Sequence, residues 1–166
     1  RSAQRLRDAG LNRVTVSLDA LDIETFQAMG DTSEKPETVL RGIEAARLVG
    51  LSVKVNTVIR AGYNEHSIEK ISDRFLGTDV VVRFIEFMDV GATNSWDDLD
   101  VITGEMMRTM LSDLEEVDAN HVGEVANRYK RGNQEIGFIE SISKPFCGDC
   151  NRARISADGS LYTCLF

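Results

Sequence analysis

Apolar and polar side chains alternate with a period of two along several stretches of the chain, and helix-like spacing separates them. In Arg13-Val14-Thr15-Val16-Ser17-Leu18-Asp19, Val14, Val16 and Leu18 fall on one face, and Thr15, Ser17 and Asp19 on the other. In Ser52-Val53-Lys54-Val55-Asn56-Thr57-Val58-Ile59, Val53 and Val55 oppose Lys54 and Asn56. Period two predicts β-strands. Each stretch follows a helical end and a Gly-Leu pair, Gly10-Leu11 and Gly50-Leu51, where glycine suits the left-handed residue that closes a helix. A third strand is predicted over Val80-Val81-Val82-Arg83-Phe84-Ile85-Glu86-Phe87-Met88. The helix before it takes Asn64 as N-cap and places Ile68, Ile71, Phe75 and Leu76 on one face. This alternation of strands and helices predicts α/β architecture with a parallel sheet.

The polar strand faces refine that expectation. Parallel strands covered by helices on both sides are nearly all apolar. Here only one face is, which predicts a barrel or half-barrel whose strands line a wet cavity. An edge strand with a solvated face is the alternative. After Asp89-Val90-Gly91 the rhythm stops. A polar loop over residues 92–100 contains the only tryptophan, Trp96. A helix capped by Thr103 is predicted next, with Met107, Met110, Leu111 and Leu114 as a core stripe. Short strands are predicted at Arg128-Tyr129-Lys130 and over residues 135–142, around the turn Gly132-Asn133. Two regions result: residues 1–91, later βα units of a partial barrel, and residues 92–166, a small α+β appendage.

Composition narrows the function classes. A chain of 166 residues, 42% hydrophobic and 28% charged, is ordinary for a globular protein with a sizeable core. A formal net charge of -8 argues against a broad footprint on nucleic acid or on an anionic membrane. One anionic small molecule in a local basic pocket stays compatible with it. The sequence shows neither a bilayer-spanning apolar run nor a signal-peptide pattern, so a cytoplasmic location is expected. There, clustered cysteines favour metal or redox work over disulfides. The first ten residues read as the second half of a helix without its N-cap, and the chain is expected to begin inside a domain.

The candidate chemistry sits at the other end. Cys147, Cys150 and Cys164 are the only cysteines, spaced C-x2-C-x13-C and interleaved with Arg152 and Arg154. Structural zinc sites are almost always four-coordinate, and the common iron–sulfur clusters use four cysteines. Three thiolates must borrow a ligand or leave a position open, and spacing alone leaves structural zinc as an alternative. Asp158-Gly159 marks a hairpin that returns Cys164 towards the first two cysteines. A two-residue turn would pair Cys164 with Ala153 and point both arginines away. A three-residue loop, Ala157-Asp158-Gly159 with glycine in the left-handed region, pairs Arg152 with Cys164 and Arg154 with Tyr162. The second register is the expected one, and it sets both guanidiniums on the cysteine face. Arginine suits bidentate phosphate recognition, whereas alternating arginines on an edge hairpin are more often simply exposed.

The run Cys147-Gly148-Asp149-Cys150-Asn151-Arg152-Ala153-Arg154-Ile155-Ser156-Ala157-Asp158-Gly159-Ser160-Leu161-Tyr162-Thr163-Cys164-Leu165-Phe166 resembles the GTP 3′,8-cyclase family of molybdenum cofactor biosynthesis. The strands at residues 13–19 and 83–91 carry the same resemblance. It covers the whole chain and matches the later half to two-thirds of a family member. It implies a radical S-adenosylmethionine lyase with an incomplete (βα)6 barrel and two [4Fe-4S] clusters. The product would be (8S)-3′,8-cyclo-7,8-dihydroguanosine 5′-triphosphate. In the implied reaction a 5′-deoxyadenosyl radical takes hydrogen from the ribose C3′, and the carbon radical attacks C8 of guanine.

The resemblance assigns Cys147, Cys150 and Cys164 to the second cluster, and Lys54, Arg152, Ala153 and Arg154 to GTP. It assigns Ser17 and Met88 to S-adenosylmethionine. GTP, S-adenosylmethionine and an electron donor are the implied partners, a homodimer is allowed, and neither nucleic acid nor membrane is expected. The family's C-x3-C-x2-C motif and its glycine-ended tail are not in this sequence, so this stretch alone is expected to be inactive. Two alternatives stay open: another radical S-adenosylmethionine enzyme with an auxiliary cluster, and a non-enzymatic zinc-binding module.

Overall fold

The computed structural model describes residues 2–88, 96–121, 123–150 and 153–164. Among these, five helices and eight strands form in the order α1 (Ser2–Asp8), β1 (Arg13–Ser17), α2 (Ile23–Gly30), α3 (Pro36–Leu48), β2 (Ser52–Ile59), α4 (Ser67–Phe75), β3 (Val81–Glu86), α5 (Gly104–Thr109), β4 (Leu114–Val117), β5 (Asn127–Arg131), β6 (Gln134–Ile139), β7 (Arg154–Ile155) and β8 (Leu161–Tyr162). Six strands make one mixed α/β sheet in the order β1-β2-β3-β6-β5-β4. The first four run parallel, and β5 and β4 extend the sheet antiparallel. The sheet is therefore continuous from the βα units into the later region, through the β3–β6 pair. β7 and β8 form a separate hairpin.

The alternation read from sequence sets the two faces. Leu18, Val53, Val55, Val82, Phe84, Ile136 and Phe138 are buried in one cluster. Helix α3 packs on β1 and β2, and α4 and α5 pack on β3. Helix ends follow local rules. Asp22 caps α2 by accepting the Thr25 N–H at 2.9 Å, Pro36 opens α3, and Thr103 caps α5 through the Met106 N–H. Gly10 and Gly50 have φ of 93° and 76°, the left-handed closure expected after α1 and α3. Helix α4 is locked onto β6 by a buried pair: the Ser72 hydroxyl donates to Gln134 Oε1, and the Gln134 amide donates to the Ser72 carbonyl, each at 3.1 Å.

Three local readings change. Asn64 is not the cap of α4; His66 occupies that position and makes no side-chain cap bond. Asn64 is fully buried: its Oδ1 accepts the Arg60 N–H, and its Nδ2 donates to the carbonyls of Asp19 and Val58, each at 2.8 Å. It ties the ends of β1 and β2 together, a role that long-range contact decides. Leu76, read as core, is exposed because α4 stops at Phe75. Helix α5 ends at Thr109, so only Met107 and Leu111 of its stripe are buried, while Met110 is exposed and Leu114 starts β4. The pairing of β4 with β5 captures residues that a longer helix would have used.

Candidate functional site

The face of the sheet away from the helices carries Lys54 and Asn56 of β2, Arg83 and Ile85 of β3, and Ile139 of β6, since paired residues of neighbouring strands share a face. A cavity of about 560 Å³ opens at the C-terminal end of that face. Its floor is Asn56, Arg83, Ile85, Met88 and Ile139; Val125, Ser141 and Phe146 form its sides. Cys147, Cys150, Arg154, Thr163 and Cys164 close it from the hairpin side. Parallel strands bring the floor to one level, and the chain leaving β6 folds back over it.

Local structure explains the hairpin wall. Cys147–Asp149 form one 3-10 turn, with the Cys150 N–H donating to the Cys147 carbonyl at 3.4 Å. The turn brings both cysteines of the C-x2-C pair to the same wall. The hairpin has the expected register: Arg154 lies opposite Tyr162 and Ile155 opposite Leu161. Gly159 has φ of 86°, its N–H donates to the Ser156 carbonyl, and the Ser156 N–H donates to the Ser160 carbonyl, both at 2.9 Å. Asp158 accepts the Ser160 N–H at 3.1 Å and the Ser156 hydroxyl, which holds its carboxyl below the ordinary range. The pairing of Arg152 with Cys164 lies outside the described residues.

The sequence-derived candidates divide into two groups. Cys147, Cys150, Cys164, Arg154 and Met88 all line the cavity. Lys54 and Ser17 do not; they lie on the same sheet face, Lys54 two residues before Asn56 and Ser17 beside Asn56 on the edge strand. Ala153 is exposed, next to the hairpin, and Arg152 lies outside the described residues. Burial, followed by repulsion from Arg83 and Arg13, lowers the pKa of Lys54, with Glu135 and Glu124 partly compensating. Burial, partly offset by Glu124, also lowers that of Arg83. The Arg83–Glu124 contact is loose, at 4.0 Å. Cationic charge is thus crowded beside the cavity.

Arg83, Asn56 and Phe146 are site residues that sequence reasoning passed over. Arg83 is the single cation in an apolar strand, and Asn56 shares its strand face with Lys54; both signals were available. Asn56 Oδ1 is buried without a hydrogen-bond partner, so the cavity wall holds an unsatisfied acceptor. Just after β2, the Arg60 guanidinium stacks over the Tyr63 and Phe87 rings at 4.1 and 4.9 Å and pairs with Asp100 at 2.8 Å. Trp96 donates its indole N–H to the Phe87 carbonyl at 3.0 Å. These contacts order the strand end that presents Met88.

The donor set bears on the metal question. Cys147, Cys150 and Cys164 form no disulfide among the described residues. Among the described residues, no group of three or more His, Cys, Asp or Glu side chains is arranged to hold a single metal ion. A lone zinc draws every sulfur to about 2.3 Å from one point, whereas the thiolates of a four-iron cluster each take their own iron. Cys147, Cys150 and Cys164 line one cavity, with no carboxylate or imidazole among its described lining residues.

Residues 1–75 match the family model described as Radical SAM superfamily, and residues 80–166 match the one described as Molybdenum Cofactor Synthesis C. Among curated relatives, a GTP 3′,8-cyclase of Xanthomonas axonopodis pv. citri is 46% identical over 172 residues, covering 100% of this chain and 52% of the relative. One from Staphylococcus haemolyticus is 45% identical over 168 residues, covering 98% of this chain and 49% of the relative. One from Staphylococcus aureus is 44% identical over the same length. The chain spans about half the length of the curated relatives it matches. With residues 80–166, more than half of the sequence, matched by its model, the chain belongs to the Molybdenum Cofactor Synthesis C family, preceded by a segment that matches the radical SAM superfamily.

Proposed function

We propose that this chain is the later part of a GTP 3′,8-cyclase, a lyase that converts GTP to (8S)-3′,8-cyclo-7,8-dihydroguanosine 5′-triphosphate in molybdenum cofactor biosynthesis. The observation that carries this reading is the meeting of Cys147, Cys150, Cys164, Arg154 and Met88 on one cavity. That cavity lies at the C-terminal ends of parallel strands, where α/β barrels keep their chemistry. Earlier βα units would complete the sheet to an incomplete (βα)6 barrel. Residues 1–91 would supply its later units, and residues 92–166 the cluster- and nucleotide-binding region.

Cys147, Cys150 and Cys164 hold a [4Fe-4S] cluster in this reading. When bound, that cluster would supply Lewis acidity towards the guanine base, and S-adenosylmethionine would supply the radical chemistry. The chain's own residues position and neutralise. Arg154, with Arg152 and the Ala153 backbone, binds GTP from the hairpin, and Lys54 binds it from the sheet. Lys54 lies about 6.6 Å along β2 from Asn56, within reach of its long side chain. Burial, and then repulsion from neighbouring cations, disfavours the charged forms of Lys54 and Arg83, and a bound polyphosphate would relieve that repulsion. Ser17 and Met88 hold S-adenosylmethionine at the strand ends. Fixing two reactants in one cavity is the protein's main contribution to such a reaction. The reading also calls for an electron donor and a reducing, cytoplasmic setting, and it accommodates a homodimer.

The test uses the full-length enzyme under anaerobic conditions. Arg154→Ala should keep its iron and weaken GTP binding about ten- to a hundredfold, the range for a charge-assisted hydrogen bond of roughly 1.5–3 kcal/mol. Cys147→Ala and Cys164→Ala should lose the iron of one cluster. Tight stoichiometric zinc without iron uptake, or wild-type GTP affinity in Arg154→Ala, would overturn the reading.

A further inference from the structure

Glu86 ends β3 with its side chain fully buried, on the face opposite the cavity-lining Ile85. Its Oε2 accepts the backbone N–H groups of Ile142 and Ser143, each at 2.8 Å. Its Oε1 accepts the Gly104 N–H at 2.8 Å and the Ser143 hydroxyl. All four donors are neutral. A buried carboxylate is costly, and a well-packed apolar residue would often stabilise the same position better. Its specific effect is geometric, because directional acceptors fix where separate segments cross.

The segments in question matter for the cavity. Ile142 and Ser143 lie in the turn that leaves β6, between Ser141 and Phe146, both of which line the cavity. Cys147 follows directly. On the other side, Glu86 stands two residues before Met88 on the floor. Gly104, the third anchor, opens α5, whose Met107 is fully buried in the main core. One carboxylate therefore connects the core, the strand end with Met88 and the root of the cysteine segment.

We infer that Glu86 is a positioning residue that sets the distance and angle between the cysteine-bearing segment and the sheet floor of the cavity. The inference rests on the proposed cluster- and GTP-binding reading of that cavity. Glu86 touches neither ligand in this account. It acts through Ile142 and Ser143 on the cysteines, and through the end of β3 on Met88.

The experiment compares full-length wild-type enzyme, Glu86→Gln and Ser143→Ala after anaerobic reconstitution. Four readouts are taken: thermal unfolding, iron content, the electron paramagnetic resonance spectrum of the reduced protein with and without GTP, and GTP affinity. Glu86→Gln keeps one acceptor oxygen but turns an amide group towards existing donors. It is expected to load iron, to change the GTP-dependent part of the spectrum, and to bind GTP about tenfold more weakly, equal to 1.4 kcal/mol. Ser143→Ala removes one donor and should shift the same two readouts less; it decides the matter if Glu86→Gln fails to fold. A lowered unfolding temperature with wild-type spectrum and wild-type GTP affinity would reduce Glu86 to an ordinary buried hydrogen-bonding group and overturn the inference. A wild-type enzyme that takes up no iron on these cysteines would overturn the functional reading and this inference with it, a result distinct from the former.

Discussion

Replacing Gly159 with valine is the sharpest perturbation of the hairpin, because the turn, the register and the arginine position all depend on one backbone angle. Gly159 sits at φ of 86°, a region that β-branched residues adopt only under strain, at a cost on the order of 1–3 kcal/mol. Among the described residues the hairpin has two paired strand positions, Arg154 with Tyr162 and Ile155 with Leu161, and Ile155, Leu161 and Tyr162 are all exposed. Since it is not part of the six-stranded sheet, the strain should fall on the hairpin and not on the main core. At 1.4 kcal/mol per factor of ten, the native register would lose roughly five- to over a hundredfold in equilibrium weight. A one-residue slip would then turn Arg154 away from the cavity.

The assay has three parts, all on the full-length enzyme: the unfolding temperature, GTP affinity, and hydrogen exchange at the Ser156 and Gly159 amides, which close the turn. The expected outcome is a nearly unchanged unfolding temperature, faster exchange at both amides, and GTP affinity reduced about tenfold or more. Gly159→Ala should show the same pattern more weakly, since alanine in the left-handed region costs about 1–2 kcal/mol. Wild-type exchange and wild-type GTP affinity in Gly159→Val would refute the reasoning. A collapse of global stability would also count against it, because the hairpin would then be coupled to the core.

Two further outcomes follow from other parts of the molecule. A Cβ at Gly104 would overlap the side chain of Glu140, which is buried and held by Arg108 at 3.1 Å and by Asn127. Gly104→Ala should therefore destabilise by about 1–3 kcal/mol in chemical denaturation, although helix propensity alone predicts the opposite sign; a stabilised variant would refute the contact argument. For Lys54, the folded pKa is below the ordinary value of 10.5 because of burial and then Arg83 and Arg13. The unfolded chain then binds more protons, so this residue's penalty is fully present below the folded pKa and is relieved as pH rises towards 10.5. In the absence of nucleotide, Lys54→Met should unfold at a higher temperature near neutral pH, with the advantage shrinking as pH rises; a constant difference across pH would remove the electrostatic cause.

The strands β1 and β2 were legible in the sequence because the alternation of Val14, Val16, Val53 and Val55 with polar residues is a local property of an extended chain. Gly10, Gly50 and Gly159 marked their turns for the same reason: a positive φ is a demand made by one residue. The hairpin register followed from turn chemistry, and with it the side on which Arg154 stands. The spacing of Cys147, Cys150 and Cys164 around a hairpin turn made their meeting on one cavity legible, since a hairpin returns its last residue to its first. What the sequence did not determine depends on partners far along the chain. Asn64 reads as a helix cap, but only the approach of β1 to β2 offers it Asp19 and Val58. Met110 and Leu114 continue a helical stripe, and the competing pair β4–β5 ends it. Arg83 and Asn56 become cavity residues only because parallel β2 and β3 place them side by side. Glu86 looks like a strand-end carboxylate until the chain returns from β6, more than 50 positions later, and surrounds it with donors. Local backbone preference wrote the elements, and the long-range convergence of polar groups in a water-poor interior decided which of them form the site.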